Sequence, residues 1–180
     1  EMFEEEDSSI LQEEINKFLE KINKICRENK KVAMFIDMDG TITVYDIYPE
    51  EIVKQKMQDE YSKAEPAQYI IDILKEINEI PNIDLYILSL SKTLKITEEK
   101  KEWLKKYVPF IEEKNWIIIT RELNEYSSEN RDIIKAQKIK ELKEQYDYSI
   151  LLDDDHKILK EAQKMLDTKF SPFHISSTLI

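Results

Sequence analysis

The sequence predicts an α/β protein of three layers, in which a parallel sheet carries helices on both faces and a small helical insertion follows the first strand. Three observations predict it. Short, wholly apolar runs alternate with longer stretches of helical periodicity, the pattern of strands buried on both faces and joined through crossover helices. The apolar runs are too short for helices and rich in residues that favour strands. Each of them also stops at a hydroxyl or carboxylate residue.

Taken in order, Leu11, Ile15, Phe18, Leu19, Ile22, Ile25 and Cys26 recur at three- and four-residue steps. They predict a helix from Ser9, with Ser9 and Gln12 as its capping box. Strands are expected at Val32 to Ile36, Leu85 to Leu88, Trp116 to Ile119 and Ile150 to Leu152, with a fifth near Phe173 to Ser176. Helical stretches lie between them at Pro49 to Lys63, Pro66 to Ile80, Thr97 to Tyr107, Arg131 to Gln145 and Lys157 to Leu166. Residues 1–30 thus read as an N-terminal helix, and residues 31–180 as one domain with an insertion at about 43–65. The N-terminal helix is expected either to pack on the sheet or to form a homodimer contact.

Composition removes whole classes of chemistry. The chain has one glycine, Gly40, where average usage near 7% would give roughly a dozen. Nucleotide-binding loops and the elbow of serine hydrolases need two or more. One cysteine and two histidines leave too few ligands for a Cys/His zinc site, and His156 and His174 read as structural or exposed. A formal charge of −11 argues against a nucleic-acid polymer as partner, while a small phosphorylated metabolite stays compatible through a metal and one or two local cations. No apolar run exceeds about five residues, far short of the roughly 20 that span a bilayer. With a lone Cys26, the expectation is a reducing, cytoplasmic setting without membrane contact.

What remains is carboxylates, hydroxyls and lysines. The first strand stops at Asp37, the second at Ser89, the third at Thr120 and the fourth at Asp153 and Asp154. In open parallel sheets the carboxyl ends of the strands flank the ligand crevice, so these termini converge. Asp37 and Asp39, separated by one residue, directly follow a strand, and Gly40 lets the chain turn sharply there. Gathered carboxylates repel one another and call for a divalent cation, and all-oxygen ligation favours magnesium. An EF-hand loop also begins Asp-x-Asp, but it needs glycine where this chain has Ile42.

The ordered set of a strand followed by Asp37, Asp39 and Thr41, a strand ending in Ser89, a lysine, and a strand ending in Asp153 and Asp154 resembles the haloacid dehalogenase (HAD) superfamily of aspartate-nucleophile phosphatases. The resemblance runs from Val32 to Leu159 and implies a Rossmann-like core with a small cap. Tyr86-Ile87-Leu88-Ser89 with Lys101, Trp103, Leu104 and Tyr107, then Ile119-Thr120-Arg121 and Leu151-Leu152-Asp153-Asp154, is similar to the cytosolic 5′(3′)-deoxyribonucleotidase group. The resemblance implies a phosphomonoester hydrolase, in which Asp37 is the nucleophile and Asp39 the acid and base. Thr41, Ser89 and Lys135 would bind the phosphoryl group. Magnesium would be held by Asp37, the main-chain carbonyl of Asp39 and Asp154, with Asp153 behind Asp154. Where the nucleotidase pattern has its lysine this chain has Leu123, so Lys138 and Arg131 stand as alternatives to Lys135, and Asp155 allows a one-residue shift of the acidic pair. A sugar phosphatase, or a non-catalytic binding protein of the same fold, are the competing readings. In such proteins the insertion sets substrate choice, and here it carries Tyr45 and Tyr48.

Overall fold

The structure, a computed structural model, describes residues 2–44 and 61–178, and among these the side chains other than those of residues 2–9, 11, 12, 14–16 and 62. Tyr45, Tyr48 and most of the helix expected from Pro49 lie outside the described residues. Only its end falls within them, as a 3-10 turn at Tyr61–Lys63.

Among the described residues five strands, β1 (Val32–Ile36), β2 (Ile83–Ser91), β3 (Trp116–Thr120), β4 (Tyr148–Asp153) and β5 (Phe170–His174), form one sheet of order β3-β2-β1-β4-β5. Every pairing is parallel. The chain steps outward from β1 to β3 and then returns to place β4 on the other side of β1, so the strand order reverses between β1 and β4. Val32 stands opposite both Ile83 and Tyr148, and Ile36 opposite both Ile87 and Leu152. That reversal opens a crevice at the carboxyl end of β1, where Asp37 follows.

Helices α1 (Met2–Glu28), α2 (Gln68–Asn78), α3 (Leu94–Tyr107), α4 (Ile134–Leu142) and α5 (His156–Leu166) supply the outer layers. Alternate residues of β1 serve opposite faces, as the pleat requires. Val32, Met34 and Ile36 join Phe18 and Ile22 of α1, Ile70 and Leu74 of α2, and Trp103 and Leu104 of α3. Ala33 and Phe35 join Ala136 and Ile139 of α4 with Ile158 and Ala162 of α5. All five residues of β1 are buried, which is why the strand reads as a continuous apolar run.

Most element bounds differ from the sequence expectation by a few residues; the fifth strand, expected near Phe173 to Ser176, is Phe170–His174, and two shifts have a clear cause. Helix α1 starts at Met2 rather than Ser9, so Ser9 lies inside it and the expected capping box is not its start. Half of Met2 to Asp7 is glutamate, which sustains a helix by propensity without an apolar stripe. Strand β2 runs to Ser91 rather than stopping at Ser89, because Leu90 and Ser91 find partners in Ile119 and Thr120. As for α1, Phe18, Ile22 and Cys26 are buried against the sheet. Asn82 ties the helix end down by donating through Nδ2 to the carbonyls of Cys26 (2.7 Å) and Asn29 (2.8 Å). No described helix is long and apolar enough to cross a membrane.

Candidate active site

The loop after β1 wraps around one carbonyl. The backbone N–H groups of Thr41, Ile42 and Thr43 all donate to the Met38 oxygen at 3.0–3.1 Å, and the turn closes because Gly40 takes a φ of 76°, a region costly for residues with a Cβ. This curl places Asp37, 6% exposed, on the crevice floor and Asp39 above it. The Thr41 hydroxyl donates to Asp37 Oδ2 at 3.0 Å.

The other oxygen of Asp37 meets Lys135. Its Nζ donates to Asp37 Oδ1 at 2.8 Å and to Asp153 Oδ2 at 2.7 Å, and its side chain is 2% exposed. Of the three candidates the sequence leaves open, Lys135 is the one placed against Asp37. Lys138 faces out and pairs with Glu141 on its own helix, while Arg131 binds Asp132 and Asp155 at the cavity rim. Burial pulls the Lys135 ammonium down, yet the charges of Asp37 and Asp153 prevail and hold it above the usual lysine range.

Asp37, Asp153 and Asp154 each present an oxygen within 4.8 Å of the others. The charges crowd. Burial raises the Asp37 carboxyl above its ordinary range, Lys135 pulls it back and Asp153 adds to the rise. Burial, followed by the charge of Asp37, pushes Asp154 up to about 8. A set of three carboxylates in this state fits a hard divalent cation, which would remove the repulsion. Both oxygens of Asp153 are already engaged, one by Lys135 and the other by the Asp155 N–H at 3.0 Å. Asp155 is turned away to cap α5, its Oδ1 accepting from the N–H groups of Lys157 and Ile158. Although burial pushes its carboxyl up, the Ile158 N–H and Arg131 hold it below the ordinary range.

A cavity of about 620 Å³ stands over this floor, lined by Asp37, Asp39, Lys135 and Asp154 together with Tyr61, Ser91, Lys100 and His156. Its size suits a small ligand. Three expected residues do not line it. Thr41 faces Asp37, Thr120 pairs with Thr97 Oγ1 at 2.7 Å, and the Ser89 hydroxyl, 1% exposed, accepts from Lys100. Ser91 does line the cavity, but its Oγ donates to the Thr93 carbonyl at 3.0 Å.

Lys100 and Tyr61 were missed from sequence. Lys100 Nζ donates to Ser89 Oγ (2.8 Å), the Leu90 carbonyl (2.8 Å) and Asp39 Oδ2 (3.0 Å), whereas Lys101, which the sequence pattern singled out, pairs with Glu98 on the outer face of α3. The signal was available: Lys100 shares a helical face with Thr97, Trp103 and Leu104, all buried. Tyr61 donates its hydroxyl to Asp39 Oδ1 at 2.6 Å. Burial, reinforced by the Asp39 charge, holds the phenol well above its usual range. His174 Nε2 lies 2.8 Å from the Asp154 carbonyl oxygen, and its ring stacks on His156 at 3.9 Å.

No protein-family model and no curated protein matches the chain. Solved structures do. The HAD domain of the effector protein Lem4 from Legionella pneumophila is 17% identical, with a TM-score of 0.50 over 81% of this chain and 87% of that one. A class C acid phosphatase from Bacillus anthracis, with tungstate bound, is 18% identical, with a TM-score of 0.59 over 96% of this chain and 79% of that one. With its five-stranded parallel sheet, its flanking helices and these neighbours, the chain has the fold of HAD-domain proteins.

Proposed function

We propose that the chain is a magnesium-dependent phosphomonoester hydrolase working through an aspartyl phosphate on Asp37, with (deoxy)nucleoside monophosphates as its first candidate substrates. The observation that carries the reading is Asp37 itself, a buried carboxylate at the strand-order reversal, gripped by Lys135 and Thr41 on the floor of a cavity. A purely structural carboxylate has no need of two further carboxylates beside it, whose repulsion costs stability. A phosphatase among proteins of the same fold is consistent with this reading.

Asp37 attacks phosphorus in line, the ester P–O bond breaks, and Asp39 gives its proton to the departing alcohol. In the second half-reaction water attacks phosphorus while Asp39 takes its proton. The bond to Asp37 then breaks and inorganic phosphate leaves. Lys135 spends two of its three N–H donors on Asp37 and Asp153, which leaves the third for a phosphoryl oxygen. Asp37 and Asp154 with the main-chain carbonyl of Asp39 would hold the metal, and the engagement of both Asp153 oxygens favours its role as the support of that set. Magnesium, when bound, supplies positive charge against the phosphoryl oxygens. The test is phosphate release from a panel of nucleotides and sugar phosphates. Release should require magnesium and drop at least about 10⁴-fold in Asp37→Asn, the scale on which loss of a nucleophile acts. Equal release by both proteins would sink the proposal.

A further inference from the structure

Asp39 is held from two sides, and neither holder stands out in the sequence. Tyr61 donates to its Oδ1 at 2.6 Å and Lys100 to its Oδ2 at 3.0 Å. The Lys100 ammonium also lies 5.3 Å from the centre of the Tyr61 ring, so the three groups form one packed unit. An ammonium has three donors, and those of Lys100 are spent on Asp39, Ser89 and Leu90. Its side chain is 2% exposed. Lys100 therefore has no donor left for a ligand, and whatever it does at the cavity it does through Asp39.

We infer that Lys100 is a positioning residue for the second half-reaction: it fixes Asp39 as an acceptor aimed at the water that hydrolyses the Asp37 phosphate. The inference rests on the phosphatase reading above. Charge-assisted bonds are short and directional. With one such donor on Oδ2 and the Tyr61 hydroxyl on Oδ1, the carboxylate is locked in rotation while each oxygen keeps a lone pair for an incoming proton. The division of labour follows from charge. Lys135 serves the carboxylates of Asp37 and Asp153, and Lys100 serves that of Asp39. Removing Lys100 frees Asp39 to rotate and leaves the attack by Asp37 largely intact.

With p-nitrophenyl phosphate the leaving group needs little help, so the two half-reactions separate. In Lys100→Met, kcat should fall about 100-fold, the contribution of a positioned base. KM should fall with it, kcat/KM should stay within about threefold, and p-nitrophenolate should appear in a burst approaching one per enzyme as the phosphoenzyme accumulates. A fold-stabilising role alone would lower kcat/KM along with kcat and give no burst, and that result overturns the inference. Lys100→Gln is read in the same way if the methionine variant does not fold. The double variant Asp39→Asn/Lys100→Met, which strands no charge, should be within about threefold of Asp39→Asn alone, because residues acting as a unit are non-additive; independent losses overturn the inference as well. If wild type releases no nitrophenolate, the phosphatase reading fails and takes the inference with it; if wild type turns over and the variants show no split, only the inference about Lys100 fails.

Discussion

Two buried lysines line the same cavity, and they are buried alike, each with a side chain 2% exposed. What they hold differs. Lys135 spans two carboxylates that are themselves 8% and 1% exposed, so the triad shares almost no water. Lys100 spans a hydroxyl, a carbonyl and one carboxylate that is 39% exposed. The same side chain is thus an electrostatic keystone in one place and an aiming device in the other, and the accessibility of its partners decides which.

The comparison can be broken first on stability. Lys135→Met strands Asp37 and Asp153 without a counter-charge and should cost about 3–5 kcal/mol by urea unfolding, as loss of one partner from a buried pair does. Lys100→Met should cost clearly less, because water can reach Asp39. Equal losses from the two variants would erase the distinction.

A smaller effect should follow pH and metal together. In the metal-free protein the Asp154 carboxyl is raised from an ordinary 3.8 to about 8, and the native state therefore binds more protons than the unfolded chain between those values. The stability that this contributes is full below about pH 4 and is lost as pH rises through about 8. A cation takes the ionised form, so magnesium should raise the melting temperature more at pH 9 than at pH 5, its stabilisation reaching about 2.7 kcal/mol where it is present at 100 times its Kd. The measurement is a pair of melting series, in magnesium and in chelator, with Asp154→Asn as control. A magnesium effect that does not change with pH, or that survives in the control, would count against this set of ligands.

The smallest effect tests the acid that points away. Asp155 caps α5 and binds Arg131 at the rim, so Asp155→Ala should cost about 1 kcal/mol of stability, the usual worth of an N-cap, while phosphate release stays within about threefold. A collapse of activity at unchanged stability would move the metal-binding assignment one residue along.

Much of this fold was legible because parallel strands buried on both faces announce themselves as apolar runs and the polar residues that end them mark one edge of the sheet. Lengths were less legible. Leu85 to Leu88 became Ile83–Ser91 because neighbouring strands, not local composition, decide where pairing stops. Lys135 was readable only as one of three candidates, with Lys138 and Arg131, from its place after the third strand and at the start of a helix. Lys100 was not, since Lys95, Lys101, Lys105 and Lys106 surround it and make it look like one more solvated charge; only its spacing from Thr97 and Trp103 separates it from them. Tyr61 carried no signal of its own, because its contact with Asp39 depends on how the chain returns from the insertion. The hydroxyls failed in the opposite way: Ser89 and Thr41 sit where the pattern puts them, but their bonds go to Lys100 and Asp37.

The parallel sheet also sets a timetable. Lys135 lies 98 residues after Asp37, and β4 follows later still, so at roughly 5–20 residues per second of synthesis the first strand waits on the order of ten seconds for its second neighbour. Until then Val32–Ile36 is an apolar strand with one bare edge, the kind that other chains can join. The reversal of strand order that builds the crevice is thus also the step at which the newborn chain most needs protection from its neighbours.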